Sequence, residues 1–383
     1  MQPFTIAVAD EVLADLDRRL AATRWADDFA NDDWRYGVNV AYLKTLVDHW
    51  RHDYDWRERE RQMNALPQFT TEVDGLRIHF VHRKGEGPKP IPLILTHGWP
   101  WTFWDFRKVV GPLADPAAHG GDPADAFDVV VPSLPGYGFS TPLTRPGINW
   151  WKTADLWVSL MGQLGYERFA AQGGDWGSFI TAQLGHKHAE RMIGVHIHTP
   201  SFLDLTTGRF DKNDFTEAER PNLHTMAAFA QDESGYLALQ RTKPMTPAVG
   251  LNDSPAGLLG WLVEKRRSWS DCAGEVERRF SKDELIDLAM LYWVTGSYGT
   301  SARFYYEAFH DPWKPSHDRQ PVVEAPTAIA VMPHELLRPP RKWAERYYNL
   351  QRWTPMPAGG HFAAAEEPQA IVEDLRAFFR DKR

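Results

Sequence analysis

Four short segments of the chain carry residue types that could do covalent chemistry together. Gly173-Gly174-Asp175-Trp176-Gly177 follows a predicted strand and opens a predicted helix. Small residues in that setting let a nucleophile sit on a tight strand-to-helix turn with the helix N-terminus just behind it. The nucleophile position here is Asp175. Asp is also a favoured helix cap, so the turn taken alone leaves Asp175 with two readings. His97-Gly98-Trp99-Pro100 closes an earlier strand and can offer the Trp99 backbone N–H, which with that of Trp176 could form an oxyanion hole. Pro333-His334-Glu335-Leu336 ends a later strand, and Gly359-Gly360-His361-Phe362 follows the last one. Nucleophile, acid and histidine thus come in the order Asp175, Glu335, His361.

The nucleophile's type selects the bond it would attack. A carboxylate that attacks an alkyl carbon makes an ester, which water can cleave at the protein's own carbonyl, whereas serine would make an ether that goes no further. Asp175 therefore points away from ester and peptide cleavage and toward opening a C–O or C–halogen bond. In that scheme His361, oriented by Glu335, takes a proton from water, and the Trp99 and Trp176 amides hold the oxyanion. No metal-ligand spacing stands out among the 15 His, and no phosphate-binding glycine loop occurs, so neither metal nor cofactor is expected.

The elements that must position these residues follow from periodicity. Val12, Leu13, Leu16, Leu20 and then Leu43, Leu46, Val47, Trp50 have helical spacing, which makes the first ~65 residues an α-helical lead-in. Arg57 to Arg61 reads as a solvated helix face with mixed charges. From Phe69 the period becomes two, with Asp74-Gly75 as a tight hairpin turn. Unalternating apolar runs at Ile91 to Leu95, Phe127 to Val131 and Phe169 to Gln172, separated by helical patterns, suit buried parallel strands. Between Pro200 and about Phe309 helix-like pieces are broken by prolines, which reads as an inserted helical cap. The sheet resumes at Pro326 to Met332 and near Trp353 to Met356, and a helix from Pro368 to Phe379 closes the chain. The expected class is α/β: an α/β-hydrolase core sheet with an inserted helical cap and an N-terminal helical extension. The division is an extension with hairpin over 1–90, core over 91–203, cap over 204–310 and core over 311–383.

Composition narrows the partners. The chain has 383 residues, with 43 Lys plus Arg against 51 Asp plus Glu, and the net charge of −8 argues against nucleic acid or anionic membrane as a partner. Its 17 Trp, 20 Phe and 12 Tyr suit an apolar ligand pocket. The single Cys272 is a bystander that allows no internal disulfide and fits a reducing compartment. There is no signal peptide and no stretch long enough to span a bilayer, so a soluble, cytoplasmic protein is expected. The sequence leaves oligomeric state open, and an oligomer is compatible with it.

Thr96 to Pro100, Gly173 to Ser178, Leu251-Asn252-Asp253-Ser254-Pro255, and Gly359-Gly360-His361-Phe362 followed by Glu366-Glu367-Pro368 together resemble the microsomal-type epoxide hydrolases, the group that includes juvenile hormone epoxide hydrolases. Pro67-Gln68-Phe69 and the Asp74-Gly75 hairpin look like that family's N-terminal domain, so the resemblance covers nearly the whole chain. Animal members carry a membrane-anchoring segment before this domain; none is seen here, and a soluble relative of bacterial type is expected. The resemblance implies hydrolysis of an apolar epoxide to a 1,2-diol, with Tyr236 and Tyr305 in the cap protonating the epoxide oxygen. Tyr298 and Tyr306 are neighbours that could be mistaken for Tyr305. The resemblance also assigns Glu335 as the acid, although some relatives of the wider fold place it where Asp204 stands. Glu366 and Glu367 read as first-turn residues of the closing helix, and His97, His196 and His198 as structural. Two other functions share these features: a haloalkane dehalogenase, which also uses an elbow Asp followed by Trp, and a non-catalytic binding protein on the same fold.

Overall fold

Among the described residues nine strands form one sheet in the order β1-β2-β3-β5-β4-β6-β7-β8-β9. The structure is a computed structural model and describes residues 1–206 and 208–383. β1 (Gln2–Pro3), β2 (Gln68–Val73) and β3 (Leu76–Arg83) are antiparallel, and β3 joins β5 (Phe127–Pro132) antiparallel. From β5 onward, β4 (Ile91–Thr96), β6 (Phe169–Gly173), β7 (Met192–Ile197), β8 (Val323–Val331) and β9 (Tyr348–Pro355) run parallel. The apolar runs lie where such runs must. Every residue of β5 and β6 is buried, because parallel central strands are covered on both faces. Asp74 (φ +50°) and Gly75 (φ +72°) make the β2–β3 turn, the pair of left-handed residues that a two-residue hairpin requires. Strands from residues 1–90 therefore extend the edge of the core sheet, and one apolar cluster runs from Ile6 to Phe379.

The chain leaves β4 toward β5 on one side and returns to β6 on the other. That reversal opens a crevice at the carboxyl ends of β4 and β6, where sheets of this kind hold ligands. Helices α4 (Arg107–Ala114), α5 (Trp150–Gln163) and α6 (Trp176–Lys187) connect the first strands. Between β7 and β8 the chain makes a helical cap: α7 (Pro221–Ala228), α8 (Gly235–Thr242), α9 (Met245–Asp253), α10 (Pro255–Trp269), α11 (Lys282–Thr295) and α12 (Tyr298–His310). α13 (Arg341–Tyr347), α14 (Ala363–Glu366) and α15 (Pro368–Phe379) complete the core.

The lead-in helices are α1 (Asp10–Ala21), α2 (Val40–His52) and α3 (Trp56–Asn64). They pack on the cap through polar ties as well as apolar ones. Arg19 pairs with Asp253, Tyr42 with Glu277, and His49 with Asp283. The Asp287 carboxylate, 1% exposed, accepts from Arg59, from the Tyr54 hydroxyl at 2.8 Å and from the Trp104 indole at 3.1 Å. The Arg57–Arg61 stretch is thus not simply a solvated face. Arg59 reaches the cap, and Glu60 is buried, accepting from the Val8 amide and the Trp56 indole.

Candidate active site

The turn after β6 brings its glycines to places where no side chain fits. A Cβ on Gly173 would lie 2.2 Å from Gly177, one on Gly177 would lie 1.9 Å from the Thr96 carbonyl oxygen, and one on Gly174 would lie 1.9 Å from His198. Close packing of β6, β4 and α6 is therefore what the glycine spacing encodes. Asp175 itself has φ +51°, a left-handed conformation that costs free energy in a non-glycine residue and marks a functional turn. Its side chain does not cap α6, which disposes of the capping alternative. Instead Oδ1 accepts the Trp99 N–H at 2.8 Å. Register explains the meeting, since Thr96 pairs with Gly173 across β4 and β6. The Trp176 amide opens α6 from the adjacent residue, one of the donors that a helix N-terminus leaves unpaired.

Oδ2 of Asp175 lies 3.4 Å from His361 Nε2, and His361 Nδ1 lies 2.8 Å from Glu335 Oε1. Glu335 and His361 are almost wholly buried, while Asp175 retains some exposure. Glu335 also accepts the Leu336 amide at 2.7 Å and the Thr199 hydroxyl at 2.8 Å. Burial would raise the Glu335 carboxyl, but His361 and the Thr199 hydroxyl hold it below the usual carboxylate range. Burial likewise opposes a charge on His361, but Glu335 and Asp175 overcome it and push the imidazole up to about 10. Asp204 is not the partner of this histidine; its carboxylate accepts from the Thr206 amide and hydroxyl.

A cavity of about 190 Å³ opens onto Asp175 and His361, walled by Phe229, Leu237, Phe309 and Leu336. Tyr236, at the start of α8, and Tyr305, on α12, face it from the cap. The Tyr236 ring stacks on the Trp99 indole at 5.1 Å, and Tyr305 meets the edge of Trp176 at 4.7 Å. The Tyr305 hydroxyl is buried with no hydrogen-bond partner of ordinary geometry in the resting site. Burial, with Asp175 nearby, raises both phenols, so each keeps its proton. The neighbours are elsewhere: Tyr306 is partly exposed and stacks on His310, and Tyr298 is buried at Gln240.

The remaining histidines stay out of the cavity wall. His97 accepts the Leu134 amide, His196 meets Asp374 at 2.9 Å, and His198 stacks on Trp101. Cys272 is buried against the Arg267 carbonyl. Two residues of the site do more than the sequence reading gave them. Thr199, which it did not single out, touches both Asp175 and Glu335. Glu366 does not stand in the first turn of the closing helix: it ends α14, is buried, and accepts the amides of Asp271, Gly360 and Phe362, which fixes the loop that carries His361. Its sequence signal was its place in the motif five residues after His361. Glu367 pairs with Arg279.

Among the described residues no helix is long and apolar enough to cross a membrane, and no three His, Cys, Asp or Glu cluster in a way that could hold a metal ion. Residues 1–106 match the family model described as epoxide hydrolase N terminus, and residues 91–252 match that of the alpha/beta hydrolase fold. The chain is 38% identical to juvenile hormone epoxide hydrolase 2 of Ctenocephalides felis, over 98% of this chain and 84% of that one. It is 35% identical to epoxide hydrolase 1 of Oryctolagus cuniculus, over 99% and 88%. The crystal structure of juvenile hormone epoxide hydrolase from the silkworm Bombyx mori superposes with a TM-score of 0.88 at 30% identity, covering 100% of this chain and 94% of that one. With matches of this extent, and an aspartate in the strand-to-helix turn below a helical cap, the chain belongs to the epoxide hydrolase family of the α/β-hydrolase fold.

Proposed function

We propose that the chain opens an apolar epoxide to a 1,2-diol through an ester on Asp175, with His361 as base, Glu335 as its acid partner, and Tyr236 and Tyr305 as proton donors. The observation that carries this reading is the pair of protonated phenols facing the Asp175–His361–Glu335 series across an apolar cavity. With Oδ1 engaged by Trp99, Oδ2 is the oxygen that attacks a ring carbon. The C–O bond of the ring breaks, and the leaving oxygen takes a phenol proton, so that no free alkoxide forms.

Charge then sets the order of events. In the resting site two carboxylates keep His361 protonated. Esterification removes the charge of Asp175 and leaves a phenolate in the cap. The imidazolium loses one of the anions that supported it, gives its proton to that phenolate, and becomes the neutral base the second step needs. Water loses a proton to His361 and adds to the ester carbonyl, whose oxyanion sits against the Trp99 and Trp176 amides. Collapse expels the diol oxygen, which takes the proton back from His361 and leaves Asp175 as a carboxylic acid carrying one oxygen from water; its remaining proton passes to His361, which restores the resting carboxylate and imidazolium.

The substrate is a small apolar epoxide, in keeping with the aromatic and aliphatic wall, and water is the co-substrate. A cytoplasmic setting, without nucleic acid as partner, belongs to the same reading. The test is a single turnover of styrene oxide in water enriched in heavy oxygen, with enzyme in excess. The expected first diol is unlabelled and the label enters the Asp175 peptide; a labelled diol with an unlabelled peptide would mean that water attacks the epoxide directly.

A further inference from the structure

The Thr199 hydroxyl makes two bonds that join separate parts of the site. It donates to Glu335 Oε2 at 2.8 Å and accepts the Asp175 backbone N–H at 3.2 Å. The residue is buried, sits just past the end of β7, and is itself held by its own amide, which donates to Ser178 Oγ at 3.2 Å; Ser178 Oγ in turn donates to the Gly173 carbonyl. One oxygen thus links the left-handed turn that carries the nucleophile to the acid 136 residues further along the chain.

Glu335 needs such a link. Its Oε1 is held by the Leu336 amide and by His361, which fixes one end of the carboxylate. The last torsion of a glutamate is broad and roughly two-fold, so one engaged oxygen does not fix the plane of the group. The Thr199 bond to the second oxygen does. It also satisfies a lone pair on a carboxylate that is only 1% exposed, where a missing partner is costly.

We infer that Thr199 is a positioning residue for the ester-hydrolysis step: its hydroxyl holds the Glu335 carboxylate in the plane that directs His361, and so sets the basicity of His361 after the ester has formed. This rests on the ester mechanism proposed above. A Glu335 carboxylate that turns gives His361 less support, and hydrolysis of the ester depends on that support, whereas the attack of Asp175 on the epoxide does not.

The test uses the full chain with styrene oxide, following intact mass after rapid quenching, in wild type, Thr199→Val, Thr199→Ser and His361→Gln. His361→Gln must accumulate an enzyme heavier by one styrene oxide; if it does not, the ester mechanism fails and this inference falls with it. Given that ester, Thr199→Val is expected to slow its formation about threefold to tenfold, through the lost acceptor of the Asp175 N–H, and to slow its hydrolysis further, about 10- to 100-fold, the range for a lost hydrogen bond to a charged group. The acid limb of ester hydrolysis should move to lower pH in Thr199→Val, because a less supported His361 loses its proton more readily, and Thr199→Ser should restore both rate and limb. Wild-type hydrolysis in Thr199→Val, or an equal fall in both steps with an unmoved limb and no rescue by serine, overturns the inference.

Discussion

Gly98→Ala inserts one methyl group at the point where two backbone segments meet the nucleophile. A Cβ there would lie 2.2 Å from Asp175 Oδ1, 2.4 Å from its Cβ and 2.7 Å from its Cγ, distances that real Cβ atoms essentially never show below 3.0 Å. The gap to Oδ1 must open from 2.2 to at least 3.0 Å, a shift of 0.8 Å or more. The Asp175 backbone is held in its turn at φ +51°, and its Cβ, 2.4 Å from the new methyl, is fixed with it, so the displacement falls on the Gly98–Trp99 loop. Moving that loop stretches the 2.8 Å bond from the Trp99 amide to about 3.6 Å, where it no longer counts as a hydrogen bond. Loss of one such donor, or an ångström of misplacement, costs on the order of 100-fold in rate, about 2.7 kcal/mol. The expected result is hydrolysis of the ester about 100-fold slower in a single turnover of styrene oxide, so that the ester accumulates, read by rapid quench and intact mass. Gly162→Ala is the control, since nothing lies within 4 Å of its Cβ position, and it should leave the rate unchanged. A folded Gly98→Ala protein that hydrolyses the ester at the wild-type rate would refute the reasoning.

Two further predictions follow from charges the fold has buried. His361 is raised from 6.5 to about 10, so the stability its charge contributes is fully present below pH 6.5 and is lost as pH rises through about 10. The melting temperature of wild type should therefore lose ground to that of His361→Gln between pH 7 and 10, and a constant difference over that span contradicts the charged resting state. Asp287→Ala leaves Arg59, Tyr54 and Trp104 without their shared buried acceptor. It should cost about 3–5 kcal/mol in urea unfolding, and a loss below about 1 kcal/mol would mean that the extension is not fastened to the cap through this carboxylate.

The parts of this molecule that were legible in its sequence are those encoded by neighbours along the chain. Unalternating runs marked the central strands because both faces of β5 and β6 are covered, and the Asp74-Gly75 pair marked a turn that only left-handed residues make. The glycines around Asp175 were legible as the mark of a tight strand-to-helix turn, although the crowding that Gly174 and Gly177 answer comes from His198 and Thr96, remote along the chain. Tyr236 and Tyr305 were visible only through family resemblance, because an aromatic-rich cap gives no periodic sign of which rings face a cavity. Thr199 and Arg59 were missed because their meaning lies in distant partners: the Arg59 acceptor is 228 residues away. Glu366 was misread because a short helix, α14, intervenes before the closing one. A mixed-charge helix face and a tether to a buried carboxylate look alike until the fold has brought the two together.

The ties between extension and cap are unevenly distributed. Asp253, Glu277, Asp283 and Asp287 all lie at or beyond the end of α9, and Glu284 on α11 is bound from the core by Arg107 and Lys108. Polar links to α7 and the segment before it come from the core: Arg338 reaches Thr225, the Arg341 amide reaches Glu219, and Lys342 and Arg346 pair with the buried Asp214. The half of the cap beyond α9 is thus tied to extension and core alike, whereas α8 is held mainly by packing on α12 and α7 buries none of its residues. Substitutions near Phe229 and Leu237 reshape the cavity wall at little expense to folding, whereas the same changes around α11 put the entire fold at risk. Changes in which epoxides are accepted are therefore expected to cost least in stability at Phe229 and Leu237, two partly buried residues of the cavity wall.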